Sequence, residues 1–392
     1  MKILLLHQFF NTPHGGGALR SYFLATALCR SGFAVHVITT HNKPHYHREE
    51  TEGVDVHYLP VPYQNHYGFF RRVYSFLLFV LSIIRHASRF RQAGLCYAIS
   101  APLTTGLAAM VLKWRYGMPY VFEVGDLWPE APIQLGMVRN TLLKKMLYAL
   151  EAAIYRQARS IVALSVPIAE NIRQRFPAYT VEVLPNMADI GYFGVAAEPE
   201  TKAKFNATGK LVVSYFGTMG RANGLQFVLN CAQACGKEKL PVLFLLCGDG
   251  AERSSLERTT HEMQLNNVVF MPFQNREGIR RLMGITDVAL VCFRPLPVLE
   301  TGSPNKYFDA LAAGKAVVVN FGGWIRAEIE QSGCGFYAAN ATDFARKIAA
   351  YLQNENLLKQ AQHAALQTAQ RYARTVLSAR FVTLVKRASE KA

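Results

Sequence analysis

The sequence predicts an α/β protein made of two doubly wound domains, each a parallel sheet covered by helices on both faces. Three observations support this fold class. The chain has 392 residues, which is too long for one ordinary core. Short apolar runs alternate with helical patterns along most of its length, as in βαβ units. A glycine-rich turn follows a buried strand in each half, at 15–17 and at 217–224, so the same plan restarts.

The predicted division places one domain at residues 1–190 and a second at residues 191–370. The weakly patterned region after Pro185-Asn186 is the expected linker. Residues 371–392 should form a helix that packs back on the first domain. Two such domains would face each other across a cleft, where proteins of this class bind small molecules.

The composition is that of a globular protein with a basic surface. Hydrophobic residues make up 51% of the chain and charged residues 18%, and the formal net charge is +16. This charge favours a polyanionic partner, such as nucleic acid, an anionic membrane face or a phosphorylated substrate. We expect no nucleic acid, because no basic, aromatic-rich motif with the geometry of base readout is present. The seven cysteines lack metal-ligand spacing and should be free thiols.

The first half begins with the apolar run Lys2–Gln8, which predicts a buried strand and not a signal peptide, since no small-residue cleavage site follows it. Gly16 and Gly17, in the turn after it, would let a ligand approach the backbone closely, although the triplet is no dinucleotide fingerprint. The patterns that follow predict strands at Ala34–Thr40, His57–Pro60, Cys96–Ser100, Pro119–Glu123, Ser160–Leu164 and Val181–Leu184, and helices at Leu19–Arg30, Ala101–Trp114, Thr141–Ala158 and Ile168–Phe176.

Three carboxylates crowd the end of one of these strands. Glu123, Asp126 and Glu130 lie close together in an otherwise basic chain, with Trp128 between them. The carboxyl ends of inner strands are where α/β folds place their chemistry, so we favour a functional group here. The alternative is that Asp126 is a helix cap.

The apolar segment Val73–Ile84 is bracketed by five arginines: Arg71, Arg72, Arg85, Arg89 and Arg91. It is shorter than the ~20 residues of a spanning helix, yet it suits the membrane interface. In that case its apolar side chains would enter the lipid, among them Phe76, Leu77, Phe79 and Val80. A helix buried against a sheet is the alternative, and it leaves the arginines unexplained.

In the second half, glycine turns containing Gly217 and Gly248 follow two buried strands and should meet at one edge of the sheet, where Arg221 adds a cation. The patterns predict strands at Lys210–Phe216, Val242–Cys247, Asn267–Met271, Val288–Phe293 and Ala316–Asn320, and helices at Leu225–Cys235, Arg276–Met283, Asp343–Gln353 and Leu357–Arg387.

The stretch Glu300–Gly314 delivers a short helix to the same edge. Ser303 is the expected N-cap and Pro304 the first helical residue, and Gly314 closes the helix. Lys306 then falls in the first turn, where the helix dipole favours an anion and disfavours a cation. An external anion at the helix start would resolve this conflict, with Lys306 as its counter-charge.

One turn later, Asp309 shares a helix face with Lys306. A cation that seeks phosphate beside a carboxylate that seeks hydroxyls suggests a sugar nucleotide. The alternative is an amphipathic helix with a solvated lysine and aspartate.

The order and spacing of four blocks resemble the nucleotide-sugar glycosyltransferases of GT-B fold, in particular the large family four. The blocks are Leu184-Pro185-Asn186, Tyr215–Gly224, Leu246–Gly250 and Val291–Val319. With the 15–17 loop and Ser165, the similarity covers nearly the whole chain. The sequences of Ser303–Ala313 and Asp126–Glu130 are most similar to those of bacterial O-antigen, capsule and colanic-acid transferases, including the fucosamine-transferase-like subgroup.

The resemblance implies that the first domain lies on the acceptor side and that the second domain holds the donor site. Asp309 would bind the ribose diol, and Arg221, Lys306 and amides of the Ser303–Asn305 turn would hold the diphosphate. It further implies that Gly16 and Gly17 close on the phosphates, that Gly217 and Gly248 admit them, and that the base lies near Met271–Gln274.

The family's paired glutamates are only partly matched. The family has two glutamates separated by seven residues. Here Asp309 stands at the second of these positions and Thr301 at the first, so Glu300 is one residue out of register. The family's catalytic-cleft histidine has no clear match in this sequence. Asp126 or Glu130 would take that space, and Glu300 stays a catalytic candidate. No Asp-x-Asp pair occurs, so we expect neither a metal nor another cofactor.

The expected function is transfer of a sugar from a nucleoside-diphosphate donor, UDP above all, to a lipid-linked (polyprenyl-diphosphate) acceptor in bacterial surface polysaccharide synthesis. The enzyme would be cytoplasmic and peripheral on the inner face of the cell membrane. Two alternatives are a GT-B sugar-nucleotide epimerase and a catalytically impaired relative that acts as a binding protein in a membrane complex.

Overall fold

The computed structural model describes residues 1–13, 15–64, 67–100, 102–194 and 199–390. They form two separate, mainly parallel sheets with helices packed on both faces, which confirms the predicted α/β class. Part of the expected linker, residues 195–198, and Ala101 at the start of a predicted helix lie outside the described residues.

The first sheet has eight strands: β1 (Lys2–Leu6), β2 (Ala34–His41), β3 (His47–Thr51), β4 (Val54–Pro60), β5 (Leu95–Ile99), β6 (Tyr120–Val124), β7 (Ser160–Ala163) and β8 (Val181–Val183). They lie in the order β3-β4-β2-β1-β5-β6-β7-β8. The pairings are parallel except that of β3, an exposed, charged edge strand that the patterns did not predict. The helices around this sheet are α1 (Arg20–Arg30), α2 (Phe69–His86), α3 (Thr104–Tyr116), α4 (Glu130–Gln134), α5 (Thr141–Gln157) and α6 (Val166–Arg175).

The second sheet has six parallel strands. After the short helices α7 (Ile190–Phe193) and α8 (Pro199–Lys204), the strands are β9 (Leu211–Phe216), β10 (Val242–Cys247), β11 (Val268–Met271), β12 (Val288–Val291), β13 (Ala316–Val319) and β14 (Gly335–Tyr337), in the order β11-β10-β9-β12-β13-β14. The remaining helices are α9 (Gln226–Lys237), α10 (Arg253–Glu262), α11 (Arg276–Ile285), α12 (Pro297–Glu300), α13 (Asn305–Ala312), α14 (Gly323–Ser332), α15 (Ala341–Gln353), α16 (Glu355–Arg371) and α17 (Arg374–Glu390).

The predicted helix Leu357–Arg387 is in fact two helices, α16 and α17. Between them the backbone pairs with the linker: the Ala188 amide donates to the Tyr372 carbonyl at 2.8 Å, and the Arg374 amide donates to the Ala188 carbonyl at 3.0 Å. These bonds replace helical ones and let the chain change direction. α16 packs in the second domain, whereas Leu377 and Phe381 of α17 are buried in the first domain's core.

Both sheets reverse their strand order at a switch point, between β1 and β5 in the first and between β9 and β12 in the second. Ligands of open α/β sheets bind outside the carboxyl ends of the strands at such points. The loops that emerge there include the glycine turn after β1, the glycine turn after β9 and the connection from β12 to α13. The fold therefore brings the main sequence motifs to one place.

Candidate functional site

A cleft of about 590 Å³ lies between the two domains. The start of α1 and the linker form one wall, and the glycine turns, α11 and the start of α13 form the other. Seven of the residues predicted from sequence line it: Gly17, Gly217, Gly248, Pro304, Asn305, Lys306 and Asp309.

The floor of the cleft is made of two glycine turns in direct contact. Gly217 has φ +140° and Gly248 φ +153°, a region that residues with a side chain rarely adopt. A Cβ on Gly248 would lie 1.9 Å from the Gly217 carbonyl oxygen, so only glycine allows this approach. Behind the turns, the Arg253 guanidinium donates to the carbonyls of Gly248 at 2.7 Å and Met271 at 3.0 Å.

Lys306 is a partly buried cation without an acidic partner. Its ammonium donates to the Tyr215 hydroxyl at 2.8 Å and lies 4.2 Å from the centre of that ring. No carboxylate within the described ranges forms an ion pair with it, and burial lowers its pKa to about 8. It is the second residue of α13, where the first backbone N–H groups have no partner inside the helix. A cation, a helix start and two open glycine turns together form a site for an anion.

Asp309 lies one turn further along the same helix and also lines the cleft. Burial raises the pKa of its carboxyl to about 7, with Arg276 opposing this rise and Asp189 adding to it. Within the part of the chain that the structure describes, its carboxylate accepts no side-chain hydrogen bond. A carboxylate in this state can accept hydrogen bonds from ligand hydroxyls.

Arg276 is a cleft residue that the sequence analysis missed. It forms an ion pair with the buried Asp189 of the linker, and its guanidinium lies 3.8 Å from the centre of the Tyr192 ring. Arg374 of α17 donates to the same carboxylate at 3.1 Å. The pair Asp189 and Arg276 is 87 residues apart, so no local spacing signals it.

The glycine loop of the first domain reaches across to the second. Gly16 has φ +71°, and a Cβ there would lie 3.1 Å from the Phe273 ring and 3.3 Å from the Asn275 Cα. Phe273 and Gln274 line the cleft, within the Met271–Gln274 region where the resemblance placed a base.

The interpretation of Glu123 as part of a functional carboxylate group is wrong. It is fully buried and binds Arg20 through two bonds of 2.9 Å, and it also accepts a hydrogen bond from the Tyr97 hydroxyl at 2.5 Å. Arg20 donates to the carbonyls of Leu184 and Pro185 as well. This network anchors the start of α1 to the linker, because a buried carboxylate requires a paired cation.

Asp126 lies at the boundary between the domains. It is exposed, and a Cβ added to Gly302 of the second domain would lie 4.0 Å from its Oδ1. Desolvation at this boundary raises the pKa of the carboxyl. It accepts no hydrogen bond from the residues that the structure describes, which leaves it open to a ligand.

Six of the predicted residues do not line the cleft: Gly16, Asp126, Glu130, Arg221, Glu300 and Ser303. Glu130 accepts hydrogen bonds from the Tyr148 hydroxyl and, at 2.7 Å, from the Gln134 amide. Glu300 accepts from the Gly322 amide at 3.2 Å. Both carboxylates hold local structure instead. Arg221 is exposed on a short 3₁₀ turn, while its neighbours Ala222 and Asn223 line the cleft.

Ser303 does not cap α13, contrary to the prediction. The helix begins at Asn305, and the Ser303 hydroxyl accepts from the Asn186 amide of the linker at 3.4 Å. The Asn186 side chain donates to the Ser303 carbonyl, and the Ser165 hydroxyl donates to the Thr301 carbonyl at 2.5 Å. The stretch before α13 is thus fixed by contacts between domains, which a local capping rule does not consider.

Residues 15–187 match the family model described as a glycosyl transferase 4-like domain, and residues 210–354 match the model of glycosyl transferases group 1. Similar curated proteins are a probable glycosyltransferase, WbjE, of Pseudomonas aeruginosa (25% identical over 275 residues) and a putative colanic acid biosynthesis glycosyl transferase, WcaI, of Escherichia coli K12 (26% identical over 211 residues). These alignments cover 67% and 52% of this chain, and 66% and 51% of the relatives' own lengths.

Among solved structures, the chain is similar to a sucrose-phosphate synthase from Thermosynechococcus elongatus, with a TM-score of 0.80, 16% identity and full coverage of both chains. It is also similar to Anabaena HepE in complex with UDP and glucose (TM-score 0.72, 18% identity, 98% of this chain and 99% of that one). A third is WaaG, a glycosyltransferase involved in lipopolysaccharide biosynthesis (TM-score 0.69, 15% identity, 98% and 99% covered). These likenesses confirm the predicted GT-B fold.

Proposed function

Since the chain is a glycosyltransferase of the GT-B type, with a 4-like domain followed by a group 1 domain, we propose that it transfers a sugar from a UDP-linked donor to a lipid-linked acceptor at a membrane surface. The proposal includes the finer assignment of the sequence analysis, namely a fucosamine-transferase-like enzyme of bacterial O-antigen, capsule or colanic-acid synthesis. The names of the curated relatives support a transferase, and WcaI supports a polysaccharide role.

One observation supports the donor assignment: the ammonium of Lys306 lies at a helix start and has no carboxylate partner among the described residues. The diphosphate would lie between Lys306, the amides that open α13 and the two glycine turns, because these groups supply a positive charge and room close to the backbone. Asp309 would then accept from the ribose hydroxyls, and Phe273 would border the base. HepE, which shares the fold, was solved with UDP-glucose, and this supports UDP as the nucleotide.

In the reaction, negative charge develops on the leaving diphosphate as the bond to the anomeric carbon breaks. Lys306 and the helix-start amides would stabilise that charge, and being fixed before the reaction they cost no reorganisation. The acceptor hydroxyl must lose its proton as it attacks. Asp126 is the candidate to orient this hydroxyl and accept the proton, because its carboxylate is open and its raised pKa brings it closer to neutral pH.

The proposed membrane contact is α2. Among the described residues, one helical segment is long and apolar enough to cross a membrane: Phe69–Phe90, which joins α2 to the 3₁₀ turn Ala87–Phe90. It is longer than the sequence pattern predicted. About a third of the most apolar stretch of this segment is buried against the rest of the protein. Because one side of the helix is occupied in this way, it is better suited to lie on the membrane than to span it.

The side chains expected to enter the lipid have to be corrected. Phe79 and Val80 are core residues, 0% and 4% exposed, and Phe76 packs between Tyr63 and Trp128. The outward face of α2 instead carries large apolar side chains at helical spacing, the outer stripe: Phe70, Tyr74, Leu77 and Leu81. Phe70 is 86% exposed, which is costly in water and favourable in lipid.

Basic residues flank the outer stripe, as an anionic surface requires. Arg71, Arg85, Arg89 and Arg91 are exposed, and Arg72 is partly exposed. The start of α5, which packs in the same core cluster, adds exposed Leu142 and Met146 beside Lys145. Both helices begin at the carboxyl edge of the first sheet, since each runs toward the amino end of the next strand. A membrane on this surface would therefore lie close to the mouth of the cleft.

The test is to incubate pure protein and bacterial membranes with a panel of radiolabelled nucleotide sugars and to extract the products with organic solvent. We expect label from one UDP-sugar to enter the lipid extract, and a heat-treated sample to show none. Conversion of the donor to another free nucleotide sugar would indicate an epimerase. UDP binding without any turnover across the panel would favour an impaired relative and contradict the proposed transferase activity.

A further inference from the structure

A second cavity of about 590 Å³ opens beside the donor cleft. It lies at the carboxyl edge of the first sheet, between the segments that follow β1 and β2, and the Asp249-Gly250 turn of the second domain closes one side. Asp249 lines both cavities, so the second cavity adjoins the place proposed for the donor diphosphate. We name it the edge pocket, and its lining includes Gln8, Phe9, Asn11, His41, Asn42 and Tyr63.

The edge pocket contains polar groups that the protein itself leaves unsatisfied. Gln8 is 1% exposed, and neither atom of its side-chain amide has a hydrogen-bond partner among the described residues. The Nε2 atom of His41 is likewise buried and unpaired there. The backbone at Gln8 is fixed, because the hydroxyls of Thr39 and Thr40 donate to its carbonyl at 3.1 and 2.9 Å.

Buried polar atoms are nearly always paired, so a buried amide with neither atom bonded requires an explanation. A ligand with several hydroxyl groups would pair both the donor and the acceptor of Gln8. Burial lowers the pKa of His41, which favours the neutral imidazole, and its unpaired Nε2 is the ring atom left for a ligand, since the ring also has a hydrogen bond with the His45 backbone. Neither lysine nor arginine is among the residues that line the pocket, which argues against a second phosphate.

An aromatic wall completes the pocket. The rings of Phe9 and Tyr63 lie 4.7 Å apart, and Tyr63 stacks on Phe76 of α2 at 5.9 Å. A sugar ring presents hydroxyl groups at its edge and C–H groups on its faces. The side-chain amides of the pocket can pair with the hydroxyls, and the aromatic wall can pack against the C–H groups. Through Phe76, the pocket also joins the helix assigned above to the membrane.

We propose that the edge pocket binds a neutral sugar ring of the acceptor, with Gln8 and His41 as hydrogen-bonding groups and Tyr63 as the stacking surface. This inference rests on the proposed function, since it assigns the acceptor of the same reaction. The sugar would enter from the side of α2 and lie next to the donor diphosphate.

The experiment is saturation-transfer difference NMR on the full chain with saturating UDP. The probes are the methyl glycosides of glucose, galactose, N-acetylglucosamine, N-acetylgalactosamine and fucose. At least one should bind the parent protein, and Gln8→Leu and Tyr63→Ala should each weaken it at least tenfold. UDP affinity, measured by calorimetry, should stay within twofold in both variants.

The melting temperature of Gln8→Leu provides a second test, because it separates a glutamine kept for a ligand from one that only supports the structure. If the amide is held unpaired for a ligand, leucine of similar size should raise the melting temperature while it removes glycoside binding. The matched control is Asn266→Ala, which changes an outer cleft of the second domain and should leave glycoside binding unchanged.

Absence of binding by every glycoside to the UDP-loaded parent would overturn the proposal, as would unchanged binding in Gln8→Leu and Tyr63→Ala. The UDP titration keeps the two ideas apart. A protein that binds UDP but none of the glycosides would refute the edge pocket alone, whereas a protein that does not bind UDP would refute the donor site.

Discussion

Replacing Lys306 by methionine should make the unliganded protein more stable and the UDP complex weaker. Burial lowers the pKa of this lysine from 10.5 to about 8, so it is still charged at pH 7. A difference of 2.5 pKa units, at 1.36 kcal/mol per unit, corresponds to about 3 kcal/mol for holding the charge in that environment. Lys306 is partly exposed, so we expect Lys306→Met to raise the free energy of unfolding at pH 7 by about 2 kcal/mol.

The sign of the effect can be checked with pH. Between pH 8 and 10.5 the unfolded chain holds a proton on this lysine that the folded chain has lost, so the free energy of unfolding of the parent should rise with pH in that window. Lys306→Met should lack this rise. Urea denaturation of both proteins at pH 7, 8 and 10 measures the difference.

Binding should move in the opposite direction. A hydrogen bond to a charged group contributes about 1.5–3 kcal/mol, so Lys306→Met should weaken UDP binding by roughly 10- to 150-fold in a calorimetric titration. Lys315→Met is the matched control. Burial lowers the pKa of Lys315 as well, but its ammonium donates to the Gly284 carbonyl and it does not line the cleft. Unchanged UDP affinity in a folded Lys306→Met protein would refute the anion site.

The remaining predictions concern the ribose, the pH profile, the metal and the membrane. Asp309→Ala should weaken UDP binding by about 1.5–3 kcal/mol and remove any preference for UDP over 2′-deoxy-UDP, and a preference that survives would exclude the ribose role. UDP affinity should fall above about pH 8, as Lys306 loses its proton, and below about pH 7, as Asp309 gains one. Protonation of UDP itself also lowers its affinity at acid pH. In Asp309→Asn only that loss should remain, and a pH profile identical to that of the parent would contradict the role of Asp309. Transfer should persist in excess EDTA, because protein cations are proposed to stabilise the leaving group, and a loss that magnesium or manganese restores would overturn this account. The protein should sediment with anionic liposomes at low salt and be released at high salt, since each cation near the surface contributes about 1 kcal/mol that salt screens. Changing the five arginines around α2 to glutamine should abolish sedimentation and leave UDP affinity intact. The control is the double variant Arg258→Gln with Arg281→Gln, which changes two exposed arginines of the second domain and should still sediment. If the α2 variant binds liposomes as tightly as the parent, the membrane contact lies elsewhere.

The fold was predictable because its signals are local. Buried parallel strands read as continuous apolar runs, and the glycine turns mark where each strand ends. β3 was missed since a charged edge strand has no such pattern, and its identity depends on pairing with β4. The break between α16 and α17 was missed for a related reason, because the bonds that end the helix come from Ala188, far away in sequence.

Lys306 and Asp309 could be found from sequence because their evidence is a local conflict: a cation where a helix start prefers an anion, with a carboxylate on the same face. The first-domain carboxylates could not be sorted in this way. Glu123, Asp126 and Glu130 are equally suggestive as sequence, and what separates them is whether the fold supplies a partner. Glu123 has Arg20 and Glu130 has Tyr148, whereas Asp126 has no hydrogen-bond partner among the described residues.

The same reasoning applies to the groups that sequence missed entirely. Arg276 and Gln8 look ordinary in their local contexts, one in a basic helix and one after a strand. Their significance is set by contacts over long separations: Arg276 is held by Asp189 from the linker, and Gln8 is enclosed by two loops and a turn of the other domain without being paired. A residue that the fold buries but does not satisfy is a better indicator of a ligand than residue type or spacing, because the folded chain loses stability by keeping it. Gln8 meets this criterion in the edge pocket, and the half-buried Lys306 and Asp309, which form no ion pair among the described residues, line the adjoining donor cleft. This supports the proposal that the donor and acceptor subsites lie side by side.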